Sequence, residues 1–417
     1  MIRSNLRVGA AAVSPLILTL AITTLARPRA AGAADWPAYR GDGTGRSAET
    51  GLLATWPVTG PKELWRVDIG QGYSGIAVAD DRVFTQFGQG GQEIAAAFDA
   101  ATGREIWRAV TGKDRPDGQG GGPRSTPTVD GDLVFVVGAT ATLHAFRADD
   151  GAKVWFRDLR TDFGAQVPQW GVAASPVVAG DLLLIEAGGK SGYALVALDK
   201  TTGAVRWHSR SDAPGYSTPL VANIRGREQA VFFTADGLVA TALTDGSSLW
   251  DFPWKTSYGV SAAMPIFLPP DKIFISTGYG KGAAMIRVVL SGADFDADEL
   301  WRSTVMQNHF NSSVLVDGIL YGFDNATLKC IEAISGRERW AKRGFGKGSL
   351  LFADGTLYVL SERGVLLAVE ATPDEYRETA RVQILNGKTW TMPSLADGRL
   401  FVRDQNEMVA VSLKPTA

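Results

Sequence analysis

A short segment recurs five times along this chain and strongly limits what it can fold into. Each copy has small or apolar residues, a turn with a glycine, and a tryptophan four residues after that glycine. The copies AFDAATGREIW, AFRADDGAKVW, ALDKTTGAVRW, ATALTDGSSLW and CIEAISGRERW end at Trp107, Trp155, Trp207, Trp250 and Trp340. Because glycine supplies the positive φ of a tight turn, each segment predicts two β-strands joined by that turn. Tandem copies indicate a repeat architecture.

A second element lies about midway between these tryptophans. It has alternating apolar residues, a short turn that is usually Asp-Gly or Gly-Asp, and a Val/Leu/Phe run. Eight copies begin at Ser74, Ser125, Ser175, Ser217, Ser261, Ser312, Ser349 and Pro393. Each copy predicts a β-hairpin. Together the two elements give four strands in each unit of 39 to 52 residues, which is typical of a β-propeller blade.

The two ends of the chain complement each other. The hairpin from Pro393 is followed by a third strand but has no closing turn and tryptophan, whereas residues 62–70 form a single strand that carries Trp65. We therefore predict an eight-bladed propeller of four-stranded antiparallel blades, in which the N-terminal strand completes the last blade. Such closure removes an open sheet edge. The predicted organisation is a signal peptide over residues 1–33, an N-terminal arm over 34–60 and the propeller over 61–417.

The first 33 residues indicate export. Arg3 and Arg7 precede an apolar stretch over residues 8–26, and small residues follow at 31–33. This pattern is typical of a secretory signal peptide, and the alternative is an uncleaved membrane anchor. We expect no membrane span after cleavage, a periplasmic or secreted location and a monomer. Cys330 is the only cysteine, so no disulfide can form within the chain.

The charge balance argues against one class of partner. All 44 acidic residues follow position 34, where 38 basic residues accompany them. Binding to the phosphates of nucleic acid needs a basic surface, so we expect no nucleic-acid partner.

The tandem Ala-x-Asp-x-x-Thr-Gly-x-x-x-Trp pattern resembles the tryptophan-docking motif of the pyrroloquinoline-quinone (PQQ) propeller superfamily. The resemblance extends from about Trp36 to Leu413. It implies an exported bacterial eight-bladed propeller whose tryptophans dock neighbouring blades, at Trp65, Trp107, Trp155, Trp207, Trp250, Trp301 and Trp340. The superfamily contains calcium- and PQQ-dependent alcohol dehydrogenases. It also contains propellers that bind no quinone, including the barrel-assembly lipoprotein of Gram-negative outer membranes.

Some features of these relatives are missing. With Cys330 alone, the vicinal cysteine pair of the dehydrogenases cannot form. The lipidated cysteine of the lipoprotein is also absent. The motif itself is structural, and the fold does not decide the function.

Ligands of propellers usually bind in a funnel near the start of the innermost strands. The candidate funnel residues immediately before these strands are Tyr73, Arg124, Trp170, Tyr216, Tyr258, Asn308, His309, Asn311, Lys347 and Trp390. Many of these residues are aromatic, and two are cations. The alternative interpretation is that they only pack the rim of the central channel.

A flat anionic ligand such as PQQ would need stacking rings, cations and a calcium site. Trp170 or Trp390 are candidates for stacking. Arg124 and Lys347 are candidates for pairing with carboxylates. Candidate oxygen donors for calcium are Asn308, Asn311 and Glu186. A dehydrogenase would also need a general base, for which position alone suggests Asp404 and Glu186.

Two functional hypotheses follow from the sequence. The favoured one is an exported, non-catalytic propeller that binds a protein, peptide or glycan partner in the periplasm. The alternative is a PQQ- and calcium-dependent alcohol dehydrogenase with a reduced active site. The favoured hypothesis requires no cofactor, while the alternative requires PQQ and calcium.

Overall fold

The computed structural model describes residues 1–2, 35–292 and 294–415. The predicted signal peptide lies almost entirely outside this range. From Asp35 onward the described chain is built from short strands that form eight separate sheets. The eight-bladed all-β propeller predicted from the sequence repeat is therefore confirmed.

Two strands precede the first complete blade, β1 (Arg46–Ser47) and β2 (Glu63–Asp68). Blade 1 contains β3 (Ala77–Ala79), β4 (Arg82–Gln89), β5 (Gln92–Asp99) and β6 (Glu105–Lys113). Blade 2 contains β7 (Thr128–Asp130), β8 (Leu133–Val137), β9 (Thr142–Arg147) and β10 (Lys153–Asp158). Blade 3 contains β11 (Val177–Ala179), β12 (Leu182–Glu186), β13 (Leu195–Asp199) and β14 (Val205–Ser209). Blade 4 contains β15 (Leu220–Ile224), β16 (Arg227–Phe233), β17 (Gly237–Ala242) and β18 (Ser248–Pro253).

The second half of the ring repeats this arrangement. Blade 5 contains β19 (Ile266–Leu268), β20 (Lys272–Thr277), β21 (Gly282–Ser291) and β22 (Asp294–Ser303). Blade 6 contains β23 (Val314–Val316), β24 (Ile319–Asp324), β25 (Thr327–Glu332) and β26 (Glu338–Arg343). Blade 7 contains β27 (Ser349–Ala353), β28 (Thr356–Leu360), β29 (Val365–Glu370) and β30 (Glu378–Gln383). Blade 8 contains β31 (Ser394–Ala396), β32 (Arg399–Arg403) and β33 (Glu407–Ser412), and β2 completes it.

The ring closes through the N-terminal strand. Strand β2 pairs antiparallel with β33, and Trp65 lies opposite Ala410. This pairing confirms the predicted closure of blade 8. The buried guanidinium of Arg403 on β32 adds a contact to blade 1, because it donates hydrogen bonds to Thr85 Oγ1 and to the Gln86 carbonyl at 3.1 and 2.7 Å. It also donates to the carbonyls of residues 70 and 72.

The repeated tryptophans connect neighbouring blades. The Trp107 Nε1–H of blade 1 donates to the carbonyl of Ala148 in blade 2 at 3.0 Å. Gly151 of the same turn lies against the indole, and a Cβ added there would be 2.6 Å from Trp107 Cδ2. Equivalent bonds to the next blade are made by Trp65, Trp155, Trp207, Trp301 and Trp340. The glycine is therefore needed for two reasons: the turn requires a positive φ, and the indole ring leaves no space for a Cβ.

Trp250 in blade 4 departs from this arrangement. The next blade has no glycine turn at the matching place, because β21 and β22 form a hairpin of two ten-residue strands. The Trp250 Nε1–H instead donates to Gln229 Oε1 of its own blade at 2.8 Å. On β22, Asp294, Asp296 and Asp298 are exposed. The alternate residues Phe295 and Ala297 pack against the hydrophobic core that contains Trp250.

The N-terminal arm, from Asp35 on, contacts the innermost strands of several blades. The Trp36 backbone pairs with Val78 of blade 1, and strand β1 pairs parallel with β27 of blade 7. Arg40 lies between these points; it is buried and donates to the Ser313 carbonyl at 2.8 Å. The first part of the arm, residues 35–47, therefore lies along the innermost strands, whereas Ala54 and Gly60 contact the outer strand β30 of blade 7.

One short helix was not predicted from the sequence. It is α1 (Leu159–Phe163), which begins at the N-cap Asp158 and ends at Gly164 in the left-handed conformation. Leu159 and Phe163 are its buried residues. Five residues are too few to show a helical period in the sequence. Among the described residues, no helix has the length and apolar character that a membrane crossing requires.

Candidate functional site

A funnel-shaped cavity of about 240 Å³ lies among the loops that lead into the innermost strands. The arm contributes Tyr39 to its lining, and most blades contribute at least one side chain. The aromatic residues that line it are Tyr39, Tyr73, Trp170, Tyr216, Tyr279, His309, Phe310 and Trp390. No Asp or Glu is among its lining residues. We call this cavity the funnel.

Five of these rings form a continuous aromatic arc, which consists of Tyr73, Trp390, Phe310, His309 and Tyr279. Tyr73 stacks on Trp390 with centroids 5.4 Å apart, and Phe310 follows 4.7 Å from Trp390. His309 is 5.4 Å from Phe310 and 4.9 Å from Tyr279. The arc presents ring faces and edges to the funnel and is fixed by its own contacts.

Arg124, one of the two predicted cations, already has an anionic partner. Its Nη2 is 2.7 Å from Asp117 Oδ2, and both side chains are largely buried. Its Nη1 donates to the Gly122 carbonyl at 2.8 Å. The guanidinium also lies 5.6 Å from the centroid of the Tyr73 ring. The positive charge of Arg124 is therefore compensated within the protein.

Lys347, the second cation, forms no ion pair of this kind, and the charge of Glu362 acts on it only from a longer distance. Its Nζ donates to His309 Nδ1 at 3.1 Å and lies 6.0 and 5.8 Å from the ring centroids of Phe310 and Trp390. Within the described chain, no carboxylate oxygen lies within 4.0 Å of this ammonium. Burial lowers the pKa of Lys347. Burial, and then the charge of Lys347, lowers the pKa of His309 to about 4, so His309 is neutral at pH 7 and accepts the bond.

The Glu362 carboxylate fixes the position of Trp390 through a hydrogen bond to its indole. Its Oε1 accepts the Trp390 Nε1–H at 2.8 Å, and its Oε2 accepts the backbone N–H of Lys347 at 3.3 Å. The Lys388 ammonium lies 4.3 Å from the Trp390 ring. Trp390 is thus held in contact with two lysine ammonium groups and with Tyr73 and Phe310 of the arc.

The structure brings together eight of the residues suggested by the sequence. Those that line the funnel are Tyr73, Arg124, Trp170, Tyr216, His309, Asn311, Lys347 and Trp390. Tyr258 does not line it; this ring is 62% exposed and contacts Tyr279 at the rim. Asn308 is buried, and its Nδ2 donates to the Phe323 carbonyl at 3.0 Å. The amide of Asn311 similarly donates to the Gly348 carbonyl at 2.9 Å.

The two carboxylates suggested as general bases lie outside the funnel lining. Glu186 is buried, and its Oε1 accepts the backbone N–H of Gly215 at 2.9 Å. Asp404 is also buried and accepts the backbone N–H groups of Gly387, Asn406 and Glu407. Both carboxylates therefore hold loop backbone in place.

Three aromatic residues of the lining were not predicted from the sequence. Tyr39 lies in the N-terminal arm, and nothing in the neighbouring sequence indicates that it reaches the funnel. Phe310 lies between two residues that were selected, so its neighbours were a usable signal. Tyr279 follows β20 and has a positive φ of 58°, a conformation that its sequence does not indicate.

The funnel does not fit a calcium–quinone pair. Calcium in proteins takes six to eight oxygen ligands, commonly including carboxylates. No carboxylate lines the funnel, and the described residues contain no group of three His, Cys, Asp or Glu side chains arranged to hold a metal. Of the two candidate cations for the acid groups of PQQ, Arg124 is paired with Asp117.

The buried Glu186 gives a testable pH dependence. Burial raises its pKa to about 8, against the opposing hydrogen bond from Gly215. Its folded pKa lies above the unfolded value of about 4.3, so its contribution to stability is present below that value and is lost as pH rises through 8. We expect Glu186→Gln, which keeps the acceptor oxygen, to raise the free energy of unfolding at pH 9 by about 2 kcal/mol and to change it little at pH 5.

Urea unfolding of both proteins at pH 5 and pH 9 measures this difference. Glu375→Gln is the control, because that side chain is 66% exposed. An equal effect of Glu186→Gln at the two pH values would contradict the prediction.

The family model and the similar curated sequences point to the same family. A family model described as outer membrane protein assembly factor BamB matches residues 90–342. BamB of Burkholderia pseudomallei (strain K96243) is 25% identical over 223 residues, which are 52% of this chain and 52% of that protein. BamB of Moranella endobia (strain PCIT) is 24% identical over 334 residues, 75% of this chain and 70% of that protein. The chain thus spans about half the length of the first of these relatives.

Solved structures show the same fold. BamB from Moraxella catarrhalis has a TM-score of 0.59 at 15% identity, covering 84% of this chain and 100% of that chain. Quinohemoprotein alcohol dehydrogenase from Comamonas testosteroni has a TM-score of 0.64 at 12% identity, covering 92% and 81%. The similar structures thus include a BamB protein and an alcohol dehydrogenase. At these sequence identities they show the propeller fold and do not distinguish the two functional hypotheses. Because the family model matches more than half of this chain, the chain belongs to the family of the outer membrane protein assembly factor BamB, within the PQQ-like propellers.

Proposed function

We propose that this chain is a non-catalytic interaction scaffold of the cell envelope that binds another protein of outer membrane assembly. The observation that carries the proposal is the match of residues 90–342 to an assembly-factor family. Two features of the site support it. The carboxylates Glu186 and Asp404 are both engaged by backbone N–H groups, and the funnel contains no anionic oxygen set for calcium. The hypothesis favoured from the sequence, a non-catalytic propeller that binds a protein, peptide or glycan, is here narrowed to a protein partner of outer membrane assembly.

The periplasm is the compartment that we propose. The charged and apolar pattern of the first 33 residues is that of an exported protein. The family name places the relatives in outer membrane assembly. We further propose that the propeller over residues 61–417 does not self-associate and that a single copy binds the partner protein.

We propose the funnel rim as the contact surface for a protein or peptide. Tyr258 and Tyr279 are exposed there and contact each other edge to face at 5.1 Å. Exposed tyrosine pairs supply large contact areas with little loss of side-chain entropy and are enriched in protein interfaces. A peptide or a glycan bound at the rim would contact the same two tyrosine rings.

Site-specific cross-linking tests this proposal. A photoreactive phenylalanine analogue replaces Tyr258 in the exported full chain. The matched control carries it at Val110, which is 55% exposed on the outer strand of blade 1. We expect the Tyr258 position to cross-link to one envelope protein of outer membrane assembly and the Val110 position not to do so.

Two results would contradict the proposal. One is equal cross-linking from both positions, or none to an assembly protein. The other is saturable one-to-one binding of PQQ that depends on calcium, together with alcohol oxidation in the presence of a dye acceptor. That second result would support the quinoprotein alternative.

A further inference from the structure

We infer that the funnel binds a small aromatic acid with one negative charge, its carboxylate beside Lys347 and its ring against Trp390. This inference goes beyond the proposed scaffold function, because a protein contact at the rim does not require a ligand inside the funnel. It rests on the cavity, on one cation that has no ion-pair partner and on the aromatic rings next to that cation.

The charge of the site favours a single anion. An ammonium has three donors, and Lys347 uses one of them toward the neutral His309. Partial burial of a cation is unfavourable when no anion pairs with it directly, and Glu362 acts on Lys347 only from a longer distance. An incoming carboxylate would pair with the ammonium through charge-assisted hydrogen bonds. Arg124 does not offer a second such place, because Asp117 and the Gly122 carbonyl engage it.

The rings beside Lys347 favour a flat ligand. Trp390 is oriented by its hydrogen bond to Glu362, and it contacts the rings of Tyr73 and Phe310. Its position is thus set before a ligand arrives, which reduces the entropy that binding would cost. An aromatic ring gains from offset or edge-to-face contact with such a group.

The size of the cavity limits the ligand further. About 240 Å³ is below the range of about 300–1,000 Å³ that is usual for drug-sized ligands. A ligand of one or two fused rings with one carboxylate fits this space. A ligand with several acid groups would leave charges unpaired, because no second free cation lines the described cavity and no carboxylate is present there to bind a bridging metal.

Titration calorimetry with 2-naphthoate and its neutral analogue 2-naphthamide tests the inference on the exported full-length protein. We expect one-to-one binding of 2-naphthoate, about tenfold tighter than that of 2-naphthamide, since hydrogen bonds to charged groups are the stronger ones. Lys347→Met should reduce the affinity for 2-naphthoate to that for 2-naphthamide. Lys347→Arg keeps the charge and should retain most of the preference. Trp390→Leu should weaken both ligands by about fivefold through the lost stacking.

Lys255→Met is the control, because Lys255 is 74% exposed and is paired with Asp236 outside the funnel lining. It should leave both affinities unchanged, and circular dichroism verifies that every variant is folded. Equal affinity of the wild-type protein for the two ligands would overturn the inference. So would the absence of 2-naphthoate binding at millimolar concentration, or an unchanged preference in a folded Lys347→Met variant.

Discussion

Replacement of Arg403 by methionine is expected to lower the free energy of unfolding by about 3–5 kcal/mol, because several buried acceptors lose their donor at about 1–3 kcal/mol each. The guanidinium is fully buried, and burial lowers its pKa to about 10, so it remains charged at neutral pH. It donates to Thr85 and Gln86 of blade 1 and to the chain around Gly70 and Gly72. Methionine has similar length but leaves these buried acceptors without a donor.

Urea unfolding monitored by tryptophan fluorescence measures this change. Arg399→Met is the matched control, because Arg399 lies on the same strand and pairs with Asp81, which is largely exposed. We expect the control to cost less than the Arg403 variant, because the exposed partner carboxylates of Arg399 regain contact with water. Similar losses for the two variants would show that the contacts of Arg403 across the closure are not what stabilises the ring.

Gly151→Ala is expected to cost about 3 kcal/mol, the second largest effect. Gly151 has a φ of +71°, and an alanine in this left-handed region is strained by about 1–2 kcal/mol. In addition, the new Cβ would lie 2.6 Å from Trp107 Cδ2, so the indole must move away from the blade that it contacts. Displacing a packed group typically costs a further 1–3 kcal/mol.

Gly131→Ala separates the two causes. Gly131 is in the same blade and has a φ of +55°, but no atom lies within 4 Å of the position of its Cβ. Only the backbone strain applies there, so a loss of about 1 kcal/mol is expected from the same unfolding experiment. If both variants lose the same free energy, the contact between Gly151 and the indole has no separate energetic role.

The architecture could be predicted because its signals are local and repeated. Each turn glycine and the tryptophan four residues later lie within one segment, and five copies place the blades. The pairing of the N-terminal strand with blade 8 could be predicted for the same reason, because the repeat left one strand with Trp65 at the start of the chain and one missing strand at its end. The acceptor of the Trp250 Nε1–H could not be predicted, since Gln229 lies on another strand and only the paired sheet brings it near.

The candidate site was predictable in position but not in chemistry. The residues before each innermost strand converge because the ring repeats, so Tyr73, Lys347 and Trp390 were found. Whether a charge is free depends on contacts from elsewhere in the chain. Asp117 compensates Arg124, whereas no carboxylate pairs with Lys347 in the described structure. Tyr39 reaches the funnel from the arm, which carries no repeat.

The long hairpin of blade 5 ends in an outer strand that pairs with no further strand among those described. Open edges of this length can recruit a second copy of a protein by adding strand to strand. On β22 the aspartates at 294, 296 and 298 alternate with the inward Phe295 and Ala297, so their carboxylates stand in one row. Two copies that approached edge to edge would bring two such rows together. Like charges would then repel each other across such a contact, and added salt would weaken this repulsion.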